Sequence, residues 1–183
     1  MLVLLFGSSG VGKSSLANLL VERYSWAPVI SWITRPERPD ELFKVGISDR
    51  SFEELARCGK LWSDVEQNGF RYGLLTSEVR EAISDPQQFY VLDYGLGSWR
   101  KYFAQEKNLA VYVAAESDAT LGSRLSRSGR ADRLPGALEV KAELDAWCQE
   151  NPEVVRIVNE DGALDRTAAA IEAAARSWRS ATA

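Results

Sequence analysis

Five short apolar runs punctuate the chain: LVLLF at 2–6, PVISWI at 28–33, FYVLD at 89–93, LAVYVAA at 109–115 and VVRIVN at 154–159. They are rich in β-branched and aromatic residues and too continuous to be half-exposed strands. Between them, apolar side chains recur at helical spacing over 13–24, 76–84, 97–105, 117–128, 136–149 and 163–179. Strands alternating with helices predict an α/β fold, with a parallel sheet sandwiched by helices. Two stretches break the alternation. Residues 34–75 are polar and broken, with strand-like pieces (LFKVGIS, LWSDVEQ, FRYGLL) around a small helical segment, SFEELARC. Residues 124–136, RLSRSGRADRLPG, carry four arginines. Both read as insertions into one domain. The expected division is a core of 1–33, 76–123 and 137–183, an inserted lobe of 34–75 and a lid of 124–136.

Composition narrows the chemistry. A length of 183 residues suits one domain, and a formal net charge of −4 supplies no basic field that would draw the chain to nucleic acid or an anionic membrane. Cys58 and Cys148 show no metal or redox spacing, and the N-terminal apolar run is too short for a signal peptide or a membrane span. A cytoplasmic protein, monomer or homodimer, is the expectation. The absence of histidine removes every histidine-dependent triad and proton shuttle. Phosphoryl transfer tolerates that absence, because it relies on positioning and charge neutralisation.

Directly behind the first apolar run, residues 7–14 read GSSGVGKS, which fits G-x-x-x-x-G-K-[ST]. Strand, glycine loop and helix together are the context that confirms this phosphate-binding motif. Gly7, Gly10 and Gly12 allow backbone N–H groups around Ser8, Ser9 and Val11 to face inward as an anion nest. The helix starting near Lys13 adds its positive dipole end. Lys13 is expected to reach the β- and γ-phosphates of ATP, and Ser14 to hold Mg²⁺, with Ser15 beside it. Asp93, ending the FYVLD strand, suits the second element of the magnesium site.

The order of the remaining motifs resembles the guanylate kinase family over nearly the whole chain. Behind the phosphate loop come a T-R-x-x-R segment, a small lobe ending in Y-G and an apolar strand ending in Asp. An R-L-x-x-x-G-R lid and an I-V-N-x-D strand end follow. Ile33-Thr34-Arg35-Pro36 also resembles the I-T-R-P segment of ribose 1,5-bisphosphate phosphokinases. The resemblance implies a nucleoside monophosphate kinase-like phosphate-loop fold. It also implies that Arg35 and Arg38 grip the acceptor's phosphate, with Ser31 and Tyr72 as further contacts and Lys44 where that family has a tyrosine. Glu37, Asp40 and Glu41 are interleaved with the arginines, so a solvated charged loop is the bland alternative there. In the lid, Arg124, Arg127, Arg130 and Arg133 are candidates to neutralise charge on the transferred group, Arg127 and Arg130 above all. Arg124 and Asn159 fall on the ATP side, Asn159 as the expected base contact.

The guanine-reading residues of that family do not carry over. Its carboxylate falls at Ser63, its small hydroxyl residue at Leu74 and its second Asp at Gly95. A guanine edge without hydrogen-bond partners loses discrimination. The expected function is therefore an ATP- and Mg²⁺-dependent phosphotransferase acting on a phosphorylated or anionic small molecule other than GMP. Ordinary guanylate kinase activity and a non-catalytic, nucleotide-dependent interaction module stay open as alternatives. Trp32 and Trp62 flank the acceptor region, where packing is the commoner role for tryptophan.

Overall fold

In the computed structural model, described throughout except at Pro39, Asp40, Asn68 and Ala183, the first apolar run becomes the centre of a five-stranded parallel sheet. This strand, β1 (Leu2–Phe6), has all five side chains fully buried. Val3 and Leu5 pack on one face, against Leu16 and Leu20 of α1 (Lys13–Tyr24). Leu2, Leu4 and Phe6 pack on the other. An apolar run without alternation is what a strand covered on both faces requires.

After α1 the chain forms β2 (Ala27–Pro28), an edge strand, where proline's missing N–H costs least. It then leaves the main sheet. The predicted strand over 28–33 is two strands: β3 (Ser31–Ile33) belongs to a separate four-stranded sheet with β4 (Lys44–Gly46), β5 (Leu61–Gln67) and β6 (Phe70–Leu75). Both halves of the apolar run are packed, so hydropathy does not reveal the change of sheet at Val29–Ile30. A short helix, α2 (Asp49–Arg57), covers the small sheet. Its Phe52 presses so closely on Gly73 that a Cβ there would stand 2.8 Å from the ring.

The remaining elements return to the core: α3 (Thr76–Ser84), β7 (Tyr90–Asp93), α4 (Leu96–Tyr102), β8 (Asn108–Ala115), α5 (Asp118–Arg127), α6 (Leu134–Glu150), β9 (Val155–Asn159) and α7 (Leu164–Thr182). Strand order is β2-β7-β1-β8-β9, all parallel. Helices α1, α5 and α7 cover one face. Helices α3 and α4 cover the other, where Trp147 of α6 meets Phe6 and Trp99 edge-on at centroid distances of 5.1 Å each. The segment expected as a lid, 124–136, runs through the end of α5, a 3-10 turn and the start of α6. Arg124 and Arg127 complete α5, and after a 3-10 turn over Ala131–Arg133 the next helix begins at Leu134 rather than 136, with Pro135 in its first turn. No helix among the described residues is long and apolar enough to cross a membrane.

A buried polar contact fixes α7 to the turn that leads into β2. Trp26 Nε1 donates to Glu172 Oε2 at 2.5 Å, and Arg176 Nε donates to Glu172 Oε1 at 2.5 Å. Trp26→Phe keeps the ring against Phe89 but orphans one carboxylate oxygen, so it should cost about 1–3 kcal/mol. Urea unfolding would show that loss as a lower midpoint with an unchanged slope.

Candidate active site

The donor half lies at the carboxyl edge of the main sheet, beside β1, where connections leave in opposite directions. Gly12 caps α1 with φ of 96°, a conformation that favours glycine. A Cβ on Gly7 would stand 2.7 Å from the Val113 carbonyl, so the loop enters pressed against β8. The first turn of α1 contains no acidic residue, leaving its positive end available to an anion. Lys13 Nζ donates to the carbonyls of Gly7 at 2.6 Å and Ser8 at 3.3 Å, and lies 3.8 Å from Asp93 Oδ1. Ser8 is buried, Ser9, Gly10 and Ser14 are half-buried, and Ser15 is exposed.

The small sheet presents the opposite wall. Its register places Lys44, Ser31, Leu74 and Ser63 in one row across four strands, with Gly46, Ile33, Tyr72 and Val65 in the next row on the same face. Tyr72 accepts a hydrogen bond from Arg35 Nε at 3.0 Å. Arg35 Nη1 donates to the Pro36 carbonyl at 2.8 Å, and Nη2 donates to both oxygens of Glu41, at 2.8 and 2.7 Å. Lys44 Nζ donates to Glu41 Oε1 at 3.0 Å, and Arg38 Nη1 lies 3.6 Å from the same oxygen. Burial alone would raise the Glu41 pKa. The hydrogen bonds and charges of Arg35 and Lys44 outweigh it, holding the carboxyl below its ordinary value and therefore ionised at neutral pH. Asp40 lies outside the described residues.

At the far end of that face, Ser63 and Leu74 are both 2% exposed. Tyr94 follows Asp93 and turns its ring edge-on to Phe103. Burial pushes the Tyr94 hydroxyl up to about 12, Ser63 lowering it only in part, and the hydroxyl has no partner in hydrogen-bonding geometry among the described residues. Gly95, at the start of α4, faces open space: an added Cβ would meet nothing within 4 Å. Trp62 packs 5.8 Å from Phe103, and Trp32 falls in register with Gly73, on the opposite face from Ser31.

On the ATP side, Arg124 is nearly buried. Its Nε donates to Asp161 Oδ1 at 2.8 Å, Nη2 to the Asn159 carbonyl at 2.8 Å and Nη1 to the Val11 carbonyl at 3.4 Å. Arg127 bonds the same Asp161 at 3.1 Å. The Asp161 carboxyl lies below its ordinary value because of the hydrogen bonds from these two arginines. Arg130 is held locally, donating to Ser128 Oγ at 3.0 Å, and Arg133 is exposed in the 3-10 turn. Asn159, expected at the base, is 3% exposed and occupied beneath the phosphate loop. Its Nδ2 donates to the Val11 carbonyl at 2.8 Å, and its Oδ1 accepts from Thr167 Oγ1 at 3.0 Å. A Cβ on Gly12 would stand 2.8 Å from that same Nδ2, so Asn159 is the floor on which the loop rests.

One cavity joins the two halves. Ser14 and Asp93 line one side, Ser31, Glu41 and Lys44 the other. The Ser14 hydroxyl and the Asp93 carboxylate fit Mg²⁺, a hard cation that takes few protein oxygens and fills its shell with phosphate and water. Glu41, Tyr94, Asp161 and Thr167 escaped the sequence reading as site residues. Glu41 carried one signal, an acid lying three residues from both Arg38 and Lys44. Tyr94 and Thr167 carried none, since their roles depend on partners distant in the chain.

Asn159→Ala should destabilise the fold by about 1–3 kcal/mol, because Thr167 and the Val11 carbonyl lose a partner. It should weaken ATP and GTP alike, about five- to tenfold, since a brace under the loop carries no base preference. Fluorescent-nucleotide titrations with both nucleotides check this; a loss confined to ATP would return Asn159 to base contact.

No protein-family model matches the chain. It is similar to guanylate kinases. That of Brucella melitensis biotype 1 is 28% identical over 183 residues, covering 94% of this chain and 80% of the relative. The guanylate kinase of Nostoc sp. is 28% identical over 168 residues (87% and 82%), and that of Thermus thermophilus 26% over 171 residues (92% and 77%). Among solved structures, the guanylate kinase from Anaplasma phagocytophilum superimposes with a TM-score of 0.72 at 21% identity, covering 98% of this chain and 85% of that one. These likenesses support a nucleotide-binding transferase of the kinase type. The chain is guanylate kinase-like in sequence and carries the phosphate-loop α/β fold of a guanylate kinase.

Proposed function

We propose that the chain is an ATP-dependent phosphotransferase that moves the γ-phosphate of ATP to a phosphorylated small molecule other than GMP. The observation carrying this reading is the shared cavity, with Ser14 of the phosphate loop and Asp93 of β7 facing Ser31, Glu41 and Lys44. A phosphate loop alone implies binding. A second anion site across the same cavity gives the triphosphate something to react with.

In this reading the loop amides from Ser8 to Lys13 and the N-terminus of α1 hold the triphosphate, with Lys13 on its outer phosphates. Bound at Ser14 and Asp93, Mg²⁺ would neutralise phosphate charge. Arg35, Arg38, Lys44 and Tyr72 hold the acceptor. An acceptor oxygen forms a bond to the γ-phosphorus as the bond to the leaving ADP oxygen breaks. A phosphate oxygen is already anionic, so the step needs no general base, consistent with a chain lacking histidine. Arg127 and Arg130 are the lid residues assigned to the charge on the transferred group.

Against GMP stand Ser63 and Leu74, buried at the far end of the small sheet, and Gly95 at the start of α4. The apolar Leu74 side chain supplies no hydrogen bond, and Gly95 has no side chain to offer one. In favour of GMP stands similarity to proteins named guanylate kinases, so ordinary guanylate kinase activity is the second reading. A non-catalytic binding module is the third, and intact Lys13, Ser14 and Asp93 weigh against it.

An ADP-coupled screen of nucleoside monophosphates, sugar phosphates and phosphonates separates all three. The expected result is turnover with one such acceptor at a kcat/KM at least about a hundredfold above that for GMP, the equivalent of roughly 3 kcal/mol. GMP as the best acceptor would establish the second reading, and ATP binding without acceptor-stimulated turnover the third. Lys13→Ala should remove turnover while leaving the thermal melt within a few degrees of the parent chain, because its side chain faces the loop rather than the core; retained activity would exclude the loop as the donor site.

A further inference from the structure

The cations assigned to the acceptor are already occupied by the chain's own Glu41. Both Glu41 oxygens accept from Arg35, one also accepts from Lys44, and Arg38 stands 3.6 Å away. The Arg35 and Glu41 side chains are each only 7% exposed. The other Arg35 nitrogens are engaged by Tyr72 and the Pro36 carbonyl. A ligand entering the cavity therefore meets Glu41 before it can reach the Arg35 fork.

We infer that Glu41 is an internal counter-anion seated where the acceptor's anionic group binds, and that its displacement makes the site selective for a phosphate dianion over carboxylates and other monoanions. This inference rests on reading the arm as the acceptor site. Two anions on the same donors repel each other strongly in a partly dry cavity, so binding is an exchange rather than an addition. A monoanionic ligand could at best replace the bonds Glu41 gives up, while Glu41 competes from a tethered position at high effective concentration. A phosphate dianion carries twice the charge and three acceptor oxygens. It can engage Arg35, Arg38, Lys44 and Tyr72 together. Glu41 thus keeps the cations converged in the absence of ligand and sets the minimum charge a ligand must bring.

The test uses inorganic phosphate as the probe, at mildly alkaline pH where it is dianionic. Equilibrium binding is measured on the full chain carrying Lys13→Ala, which weakens the competing phosphate-loop site. Adding Glu41→Gln should tighten phosphate binding about tenfold, the factor by which a mostly occluded site lowers apparent affinity. It should also admit acetate, which the Glu41 chain excludes. Arg38→Ala placed on top should reverse the gain, locating it in the arm. Since Glu41→Gln leaves three cations close together, its melting temperature is read with and without phosphate, and phosphate should raise it more than in the Glu41 chain. Phosphate binding that is equal or weaker after Glu41→Gln would overturn the inference and make Glu41 an orienting residue of the grip. Absence of phosphate binding in both chains would overturn the acceptor-arm reading itself.

Discussion

Cations crowded together in a partly buried site repel one another unless anions neutralise them, and the organisation of this site follows from that constraint. In a partly buried setting the repulsion is several-fold larger than in water. Carboxylates of the chain relieve it on both sides. Glu41 gathers Arg35, Arg38 and Lys44 beside the small sheet, and Asp161 gathers Arg124 and Arg127 beside the phosphate loop. Lys13 rests against two loop carbonyls and near Asp93. On the proposed reading, each cation is held close to where a ligand needs it, by a partner a phosphate can replace.

The fold delivers these groups through two sheets with different duties. The parallel sheet fixes the donor loop rigidly: β1 is fully buried between β7 and β8, and the loop that leaves it rests on Asn159 of β9. The small sheet hangs from the core by the Val29–Ile30 crossing and the turn from β6 into α3. One row of its side chains is set by register alone, so Lys44, Ser31, Leu74 and Ser63 line up from four separate strands. A one-residue slip in any of them would turn that strand's contribution to the other face.

Much of the core was legible because its signals are local. The phosphate loop and α1 need only a strand, a glycine pattern and a helical period, and α3 falls on the predicted 76–84. The exchange of sheets inside 28–33 was not legible, because hydropathy reports burial without naming the partner strand. Arg124 and Arg127 lie in the last turns of α5, inside the helix predicted over 117–128, but the Asp161 carboxylate that both hold was not legible. The family resemblance sets Asn159 toward the nucleotide base, and its bonds to the Val11 carbonyl and Thr167 were not legible.

By itself, the sequence determined the phosphate-loop motif, the alternation of buried strands with helices, and an arm rich in arginine. All three are patterns between neighbours along the chain. Tertiary structure decided which anion Arg35, Arg124 and Arg127 hold, that Glu41 rather than solvent pairs with Arg35 and Lys44, and that Asn159 lies under Val11. Those facts belong to pairs brought together by strand register and the return of β7 beside β1. Hydrogen bonds and ion pairs act over a few ångströms of space, whatever the distance along the chain.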